Sequence, residues 1–382
     1  MSKSRTVNRP VDLLFDARHV RQSGIGTYIR TQLPHLEHSA AAHGISLAVL
    51  GDPGSLPGLR PSTRVVPASP ASAPMYSPAE QSVWRSALAE ARPRALWLPH
   101  YPYPLARLLP ANRRTLVYVT VHDTTQLLPW SVSGQSWARR TYARVMLNVD
   151  AVSCRMIFTP SQATADNVKA ISRRPRVLVT PIPVDETWFS PVDAELSPVS
   201  GRYVVYVGNS KRYKNLLLLM EAFSDLADKI PHTLVIAGGG ASLRTMDDRV
   251  RDIAESNPDR IRLIGQLDFA ALRALVGQAE LLIMPSLHEG AGLPPLEAMA
   301  SRTAVLSSNI PVLRETCGDG ADYFDPNDRG GLAGMMQSYC EDDAARTDLA
   351  ARGYAHVMQR QQEICATAAA DAICNELLTS QQ

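Results

Sequence analysis

The sequence predicts an α/β protein built from two doubly wound domains with parallel sheets. Short, β-branched apolar runs alternate with helical patterns along most of the 382 residues. Near-continuous apolar strands separated by helices are typical of parallel sheets that are covered on both faces. Because a single hydrophobic core rarely grows past about 250–300 residues, two such series in one chain indicate two domains.

The individual elements follow from these runs and periods. Strands of the first series are predicted at Val11–Phe15, Ser46–Leu50, Ala95–Leu98, Leu116–Val121, Met156–Phe158 and Val177–Thr180. Strands of the second series are predicted at Tyr203–Val207, Thr233–Ala237, Arg260–Ile264, Leu281–Met284 and Ala304–Leu306. Between them the helical period predicts helices at Thr27–Leu36, Ala79–Ala91, Trp137–Val149, Gln162–Ile171, Asn215–Asp228 and Leu272–Gly277.

Proline-rich stretches mark the organisation of the chain. Pro181–Pro198 is rich in proline and its apolar residues follow neither the helical nor the strand period. We therefore interpret it as a linker between domains at 1–185 and 186–355. Gly51–Ser77 is rich in proline, serine and glycine, and predicts a long surface loop of a type that is often functional. The tail, Thr347–Leu378, is alanine-rich and helical in period.

Composition excludes several classes of protein. Hydrophobic residues make up 45% and charged residues 20% of the chain, which excludes a disordered chain, a coiled coil and a collagen-like repeat. Apolar runs are strand-length, and the basic N-terminus lacks a useful apolar segment, so neither a membrane span nor a secretory signal is expected. The five cysteines are scattered and never form C-x-x-C, which fits a reducing cytosol without a disulfide framework or zinc knuckle.

The two halves of the chain differ in charge. Residues 1–190 carry 22 Lys and Arg against 11 Asp and Glu, whereas residues 191–382 carry 17 against 26. A basic half followed by an acidic half indicates two domains with different partners. The alternative is a chance distribution of charge over solvated faces.

The segment Leu281–Met299 carries the most chemistry. An apolar strand is followed by the turn Ser286–Leu293, by Pro294–Pro295 and by a helix. Glycines let backbone amides approach a ligand closely, and a helix N-terminus attracts anions. Glu289 precedes the glycines of this turn and Glu297 is expected within the first helical turn, where carboxylates would accept hydrogen bonds from sugar hydroxyls. The combination suits a nucleotide sugar; the alternative is a capping glutamate plus a surface glutamate.

This segment, HEGAGLPPLEAMA, resembles the E-x(7)-E donor-binding signature of retaining GT-B glycosyltransferases of family four, the group 1 glycosyltransferases. The resemblance implies two Rossmann-like domains facing a cleft, with the C-terminal helix at 356–382 crossing back to the first domain. It implies that Glu289 meets the transferred sugar and Glu297 the ribose. The amide turn would comprise Gly290, Ala291, Gly292 and Leu293, with Ala291 where the family usually has an aromatic residue.

A second segment, Tyr203–Leu216, places three cations after a strand. The strand ends at Gly208, and Lys211, Arg212 and Lys214 follow, which suits a diphosphate that gains charge as it leaves. The segment resembles the family's G-x(5)-K-N loop, which implies that Lys214 is the diphosphate lysine. Asn209 stands where many members have arginine, so that role is lost or taken by Lys211 or Arg212. The alternative is a solvated basic turn.

A third segment, Asp16–Tyr28, places Gly24 and Gly26 before a helix, where their amides would face a phosphate. Ile29 breaks the G-x-G-x-x-G pattern, so a dinucleotide fold is not supported. The segment resembles the D-x-R…S-G-I-G-R-Y opening of one branch of the family, often mannosyl or rhamnosyl transferases of surface polysaccharides. Thr27 replaces the usual arginine.

Histidines follow two of the predicted strands. His122 and Asp123 come after Leu116–Val121, and His100 and Tyr101 follow another strand end. Side chains beyond the carboxyl end of a strand line the cleft of an open α/β sheet. The family places a histidine near the transferred sugar, which His122 matches, and we expect His100, Tyr101 and Asp123 on the acceptor side. The alternative for His122 is a loop histidine satisfied within the fold.

Together these residues predict a retaining, metal-independent hexosyltransferase with His122, Glu289 and Lys214 as catalytic residues. We expect no cofactor besides the substrate, a GDP-, UDP- or dTDP-linked sugar with GDP-mannose favoured, and no metal because Lys214 and helix termini supply positive charge. The expected acceptor is a glycan or polyprenyl-diphosphate-linked oligosaccharide of polysaccharide or O-antigen assembly, and no nucleic acid. The alternatives are a nucleotide-sugar epimerase of similar fold and a non-catalytic subunit that binds sugar nucleotides.

The predicted helix around Trp137–Met146 combines aromatic and apolar residues with Arg139, Arg140 and Arg144. This pattern is typical of a surface helix that contacts anionic lipid. The basic residues of the first domain also include Arg107, Arg113–Arg114, Arg173–Arg174 and Arg176. We therefore expect a cytoplasmic protein with peripheral contact at the inner face of the cytoplasmic membrane. The alternative is a helix whose apolar stripe faces its own core.

Overall fold

The computed structural model describes residues 9–22, 24–71, 73–172, 175–238 and 248–380, so Arg173–Arg174 of the basic first half lie outside the described residues. The chain divides into two compact units. The first unit comprises the chain up to Thr124, Thr141–Ile182 and the chain from Cys365. The second unit comprises Thr125–Arg140 and Pro183–Ile364.

Each unit contains one parallel sheet. The sheet of the first unit has the order β3-β2-β1-β4-β5-β6-β7, and that of the second has the order β10-β9-β8-β11-β12-β13. The strands of the first sheet are β1 Leu13–Asp16, β2 Leu47–Gly51, β3 Arg64–Pro67, β4 Ala95–Leu98, β5 Leu116–Thr120, β6 Met156–Thr159 and β7 Val177–Val179. Those of the second are β8 Tyr203–Val207, β9 Thr233–Ala237, β10 Ile261–Ile264, β11 Leu281–Met284, β12 Ala304–Ser308 and β13 Asp322–Phe324.

Helices connect most of these strands, as parallel pairing requires. They are α1 Ile25–Ala42, α2 Pro78–Ala91, α3 Trp130–Ser133, α4 Trp137–Ser153, α5 Gln162–Ile171, α6 Leu216–Ser224 and α7 Asp248–Ser256. The remaining helices are α8 Phe269–Gly277, α9 Leu293–Ala300, α10 Pro311–Cys317, α11 Arg329–Glu341, α12 Asp343–Glu363 and α13 Ala368–Thr379. In the part of the chain that is described, none of them has both the length and the apolar character to cross a bilayer.

Both faces of each sheet are covered, which explains the continuous apolar strands. In β8, Val204 and Tyr206 pack into one buried cluster with Phe223 of α6. The alternate residues Tyr203 and Val205 pack into a second cluster on the other face. Because successive side chains of a strand point to opposite faces, a strand buried on both sides must be apolar throughout.

The strand orders locate the places where ligands bind in such sheets. The order reverses between β1 and β4 in the first sheet and between β8 and β11 in the second. Connections leave these neighbouring strands in opposite directions along the sheet, which opens a crevice at their carboxyl ends. The predicted motifs at Asp16–Tyr28, His100, Gly208–Lys214 and Ser286–Leu293 all follow one of these four strands.

The predicted strands at Ala95–Leu98, Tyr203–Val207, Thr233–Ala237 and Leu281–Met284 have the observed bounds. The predicted loop Gly51–Ser77 is wrong as a single loop, because it contains β3. The strand is four residues long, lies at the sheet edge and ends in Pro67, which are the features that weaken a strand signal. The sequence analysis also missed β13, which is an edge strand of the second sheet.

The C-terminal part differs from the predicted single helical run Thr347–Leu378. It forms α12 and α13, which are separated at residues 364–367. The first of these helices belongs to the second unit and the other to the first unit, where Glu376 accepts hydrogen bonds from Tyr118 Oη at 2.7 Å and Arg155 Nε at 2.9 Å. The second unit therefore ends at Ile364, whereas the predicted domain ended at residue 355, and no sequence pattern indicated that Thr125–Arg140 groups with the second unit.

Candidate active site

Two loops of the second unit bring a lysine and a glutamate into direct contact. Lys214 Nζ lies 2.6 Å from Glu289 Oε1, and both residues are largely buried, with 9% and 8% of their surface exposed. The loops follow β8 and β11, which are neighbours at the switch point of the sheet. A backbone hydrogen bond from Leu287 N to the Tyr213 carbonyl, 2.7 Å long, joins them directly. Residues 75 positions apart thus form one site.

The turn after Glu289 is shaped by glycine. Gly292 is the N-cap of α9 and has a φ of 64°, in the left-handed region that favours glycine. A Cβ atom at this position would lie 2.7 Å from Leu313 Cδ2. No side chain caps α9, and Pro294 and Pro295 occupy its first turn. The remaining backbone amides at this helix start can therefore donate to an anion.

Glu297 lies one residue further along α9 than the sequence predicted. It is the fifth residue of the helix, so its expected place in the first turn is wrong by one position. Burial raises the pKa of Glu297 to about 7, and the nearby Asp185 carboxylate acts in the same direction. None of the described residues is found donating a hydrogen bond to this carboxylate. It can therefore accept hydrogen bonds from a ligand, most strongly when it is ionised.

The three predicted cations of the basic loop have different surroundings. Lys214 pairs with Glu289, whereas Lys211 is exposed and its backbone N–H donates to Asn209 Oδ1 at 3.2 Å. The Arg212 guanidinium stacks over the Trp130 ring, 4.2 Å from its centroid. Trp130 belongs to the segment Thr125–Arg140, about 80 residues earlier in the sequence, and no local pattern in the sequence marks it as a partner of this loop.

In the first unit, Gly24 and Gly26 form the start of α1. Gly24 is the N-cap, with a φ of 73°, and no side chain caps the helix. A Cβ atom at Gly26 would lie 2.6 Å from the Val20 carbonyl oxygen, so only glycine fits. The sequence therefore identified an uncapped helix start, whose ligand remains a prediction.

His122 lies at the end of β5 in a defined tautomer. Its Nε2 donates to the Pro99 carbonyl at 2.8 Å, and its ring packs edge-on against Tyr28, with 4.7 Å between centroids. Burial lowers the pKa of His122 to about 4, although Asp123 acts in the opposite direction. The ring is thus neutral near pH 7, and its Nδ1 lone pair can accept a hydrogen bond from a hydroxyl.

His100 is part of a buried ionic network that the sequence did not identify. His100 Nε2 donates to Glu80 Oε1 at 2.8 Å, and Arg18 donates to the same oxygen at 3.0 Å and to Asp16 Oδ2 at 2.7 Å. Burial alone would raise the pKa of Glu80, but hydrogen bonds from the histidines and the charge of Arg18 hold it well below its usual range. The S-x-x-E pattern at Ser77 is the signal that could have located Glu80, since Glu80 N–H donates to Ser77 Oγ at 3.2 Å.

One group of metal-ligating side chains occurs among the described residues. Ligand atoms of His19, Glu80 and His100 lie within 4.8 Å of one another. The Glu80 oxygen already accepts hydrogen bonds from Arg18 and His100, so a cation there would have to displace both and approach the Arg18 charge. The expected absence of a metal from the reaction stays a prediction.

Comparison with known protein families matches the segment that contains these residues. Residues 192–356, which include Lys214, Glu289 and Glu297, match the family model of "Glycosyl transferases group 1". This segment is a group 1 glycosyl transferase domain. The predicted resemblance to that family is therefore confirmed, and the residues that carry it lie at the switch point of the second sheet.

Curated relatives of this chain include two O-antigen enzymes. The O-antigen chain mannosyltransferase RfbU of Salmonella typhimurium is 28% identical over 210 residues, which are 55% of this chain and 57% of that protein. The O-antigen chain mannosyltransferase B of Escherichia coli is 27% identical over 242 residues, or 60% of this chain and 63% of that protein. The matches thus span about three fifths of these relatives, and they confirm the predicted likeness to the O-antigen branch.

Solved structures resemble the whole chain in fold. Sucrose-phosphate synthase from Thermosynechococcus elongatus has a TM-score of 0.73 at 20% identity and covers 98% of this chain and 99% of its own. Anabaena HepE, solved in complex with UDP and glucose, has a TM-score of 0.68 at 16% identity, with 97% of this chain and 100% of its own covered. The predicted GT-B fold is confirmed.

Proposed function

We propose that this protein is a retaining glycosyltransferase that moves a hexose from a nucleotide sugar to a glycan or lipid-linked oligosaccharide in cell-surface polysaccharide assembly. The observation that carries the proposal is the buried contact between Lys214 and Glu289, beside the uncapped start of α9 and within the family segment. Mannose from GDP-mannose is the favoured donor, since the two curated relatives described above bear the name mannosyltransferase.

The second unit would bind the donor through three groups. Lys214 and the amides around Gly292 would hold the diphosphate, because both present fixed positive charge or N–H donors. Glu289 would turn from Lys214 to a hydroxyl of the transferred sugar, and Glu297 would accept from the ribose hydroxyls. Donor binding thus replaces the Lys214–Glu289 contact by one phosphate contact and one hydroxyl contact.

Transfer would break the bond between the sugar's anomeric carbon and the diphosphate oxygen, which keeps the electron pair. The acceptor hydroxyl oxygen would bond to the same face of that carbon, and its proton would pass to the departing diphosphate. In this scheme the protein positions the reactants and stabilises charge on the leaving group. Lys214 and the helix start supply that stabilisation, which is why we propose that no metal is required.

Peripheral membrane contact is the second part of the proposal. On α4, Trp137 and Val152 are 78% and 77% exposed and Val145 is 49% exposed, while Ala143, Leu147 and Ala151 face inward. Exposed apolar and aromatic side chains interspersed with Arg139 and Arg144 favour binding to an anionic lipid surface, where a lipid-linked acceptor would lie.

Donor binding and transfer test the proposal directly. Thermal unfolding in the presence of a panel of GDP-, UDP- and dTDP-linked sugars should show stabilisation by one nucleotide class, since a ligand stabilises by RT ln(1 + [L]/Kd). The stabilising donor is then incubated with a bacterial lipid extract, and the anomeric configuration of the product is read by NMR. Stabilisation by no nucleotide sugar, or an inverted linkage in the product, would refute the proposal.

A further inference from the structure

Three tyrosines from separate elements lie at the carboxyl edge of the first sheet. Tyr76 precedes α2, Tyr101 follows β4, and Tyr142 lies in the second turn of α4. The rings of Tyr76 and Tyr101 have centroids 5.3 Å apart and are tilted by 41°. Tyr76 and Tyr142 are 39% and 38% exposed, whereas Tyr101 is 6% exposed and forms a buried support.

The backbone of Tyr76 is held in a conformation that tyrosine rarely adopts. Its φ is 62°, in the left-handed region where a side chain is strained. The backbone N–H of Tyr76 donates to Glu80 Oε2 at 2.7 Å, and the other oxygen of Glu80 is bonded to Arg18 and His100. Glycine or asparagine would suit this backbone better, so the presence of a large exposed ring there calls for a function.

Polar groups surround the exposed rings. The His100 ring stands edge-on to Tyr76, with 6.1 Å between centroids and an angle of 86°. Burial raises the pKa of Tyr101, and the charges of Tyr76, Asp123 and Tyr142 act in the same direction. Asp123 follows β5, which pairs with the strand β4 that leads to Tyr101, so its carboxylate lies at the same edge of the sheet as the rings and can accept hydrogen bonds from a hydroxyl-rich ligand.

We propose that Tyr76, Tyr101 and Tyr142 form a preorganised platform for a pyranose ring of the acceptor glycan. The C–H face of a pyranose is apolar and packs against aromatic rings, while its equatorial hydroxyls point sideways to acceptors such as Asp123. The buried network of Arg18, Glu80 and His100 keeps the platform in place before the ligand arrives, which lowers the cost of ordering on binding. This inference rests on the proposed function and adds the acceptor class that the first unit recognises.

Saturation-transfer difference NMR with the methyl glycosides of mannose, glucose, galactose, rhamnose and N-acetylglucosamine tests the platform without the natural acceptor. At least one glycoside should receive saturation at its ring protons from the wild-type protein, with a saturating nucleoside diphosphate present to occupy the donor site. Tyr76→Gly should reduce that saturation roughly tenfold, because it removes the ring while relieving the backbone strain. Tyr142→Ala should have a similar effect, and Tyr76→Phe should keep most of the signal.

The controls separate this inference from the proposed function. Trp137→Ala removes an aromatic ring that is even more exposed, 78% against 38%, from the same helix as Tyr142, and should leave the saturation unchanged. Thermal stabilisation by the nucleotide sugar should be the same in wild type, Tyr76→Gly and Tyr142→Ala. Saturation that is absent from all five glycosides, or that survives both tyrosine variants, overturns the platform; loss of stabilisation by every nucleotide sugar in the wild type refutes the proposed function instead.

Discussion

Lys214 and Glu289 form a buried ion pair, 2.6 Å between Nζ and Oε1, across two loops at the switch point of the second sheet. Removing one partner from such a pair leaves an uncompensated buried charge. Lys214→Met should therefore lower the free energy of unfolding by about 3 kcal/mol, and the double variant Lys214→Met/Glu289→Gln should recover part of that loss. Urea denaturation of the two single variants and the double variant measures the coupling; strictly additive effects would show that the contact contributes nothing.

Glu289 is expected to be needed for transfer, and its loss should leave a protein that is less stable but still folded. Glu289→Ala should reduce the rate by roughly 30- to 1000-fold, since a lost contact to the transition state is worth on the order of 2–4 kcal/mol. The rate of transfer to the acceptor and a circular dichroism spectrum measure both properties. As a matched control, Glu315→Ala removes an exposed carboxylate from α10 and should keep the wild-type rate. Unchanged turnover in Glu289→Ala would contradict its role at the transferred sugar.

Glu297 should make donor binding pH-dependent. Because its pKa is raised to about 7, the carboxylate is increasingly protonated below that pH and then accepts hydrogen bonds from the ribose poorly. The Kd for the nucleotide sugar, measured by isothermal titration calorimetry, should fall between pH 6 and pH 8. In Glu297→Gln this part of the pH dependence should disappear, and a profile identical to wild type would refute the ribose assignment.

Glu297 should also make the stability of the protein depend on pH, but in the opposite direction: donor binding should strengthen as the pH rises, whereas stability should fall. The folded pKa of about 7 exceeds the unfolded value near 4.5, so the native state holds the proton more tightly. Its stabilising effect is complete below about pH 4.5 and is lost as the pH rises to 7. At pH 8, Glu297→Gln should therefore be more stable than wild type by on the order of 1–3 kcal/mol, whereas at pH 4 the two should be similar. Thermal denaturation at both pH values measures the difference.

Gly292 should be intolerant of a side chain. Gly292→Ala combines a φ of 64° with a Cβ atom 2.7 Å from Leu313 Cδ2, and should destabilise the protein by about 1–3 kcal/mol. Gly265→Ala is the matched control in the same unit, since a Cβ atom there meets nothing within 4 Å and its φ is not in the left-handed region. Equal midpoints of urea denaturation for both variants would show that the turn adapts easily.

Activity is expected to survive chelation. If Lys214 and the start of α9 carry the charge of the departing diphosphate, EDTA should leave the rate of transfer unchanged. Addition of Mg²⁺ or Mn²⁺ to the chelated protein should likewise have no effect beyond ionic strength. A strict requirement for either ion would refute metal independence.

Membrane attachment should be electrostatic and weak. Each arginine near an anionic surface contributes about 1 kcal/mol to the free energy of binding. At 1 M salt the Debye length is only ~3 Å, so high salt should screen this attraction and release the protein. Sedimentation with anionic and neutral liposomes measures this, with less binding expected for Arg139→Glu/Arg140→Glu. Equal partitioning into neutral vesicles, or none into anionic ones, would argue against the proposal and for a soluble acceptor.

The sequence by itself determined the fold class and the donor motifs. Continuous apolar runs such as Leu281–Met284 are typical of strands buried on both faces, and prolines directly after a glycine-rich turn are typical of a helix start. These signals are local, because they depend on burial and backbone conformation within a few residues. Together with the resemblance of the motifs to a known family, they singled out Lys214, Glu289 and Glu297 and indicated the family to which their segment belongs.

Only the tertiary structure decided which of these groups meet. Three contacts join residues that are 20 or more positions apart in the sequence: the ion pair of Lys214 with Glu289, the stacking of Arg212 on Trp130 and the hydrogen bond from His100 to Glu80. Such contacts depend on strand order and on the direction in which each loop leaves its strand, which no local pattern encodes. The pKa of Glu297 is decided in the same way, since burial and Asp185 act on it only once the chain has folded.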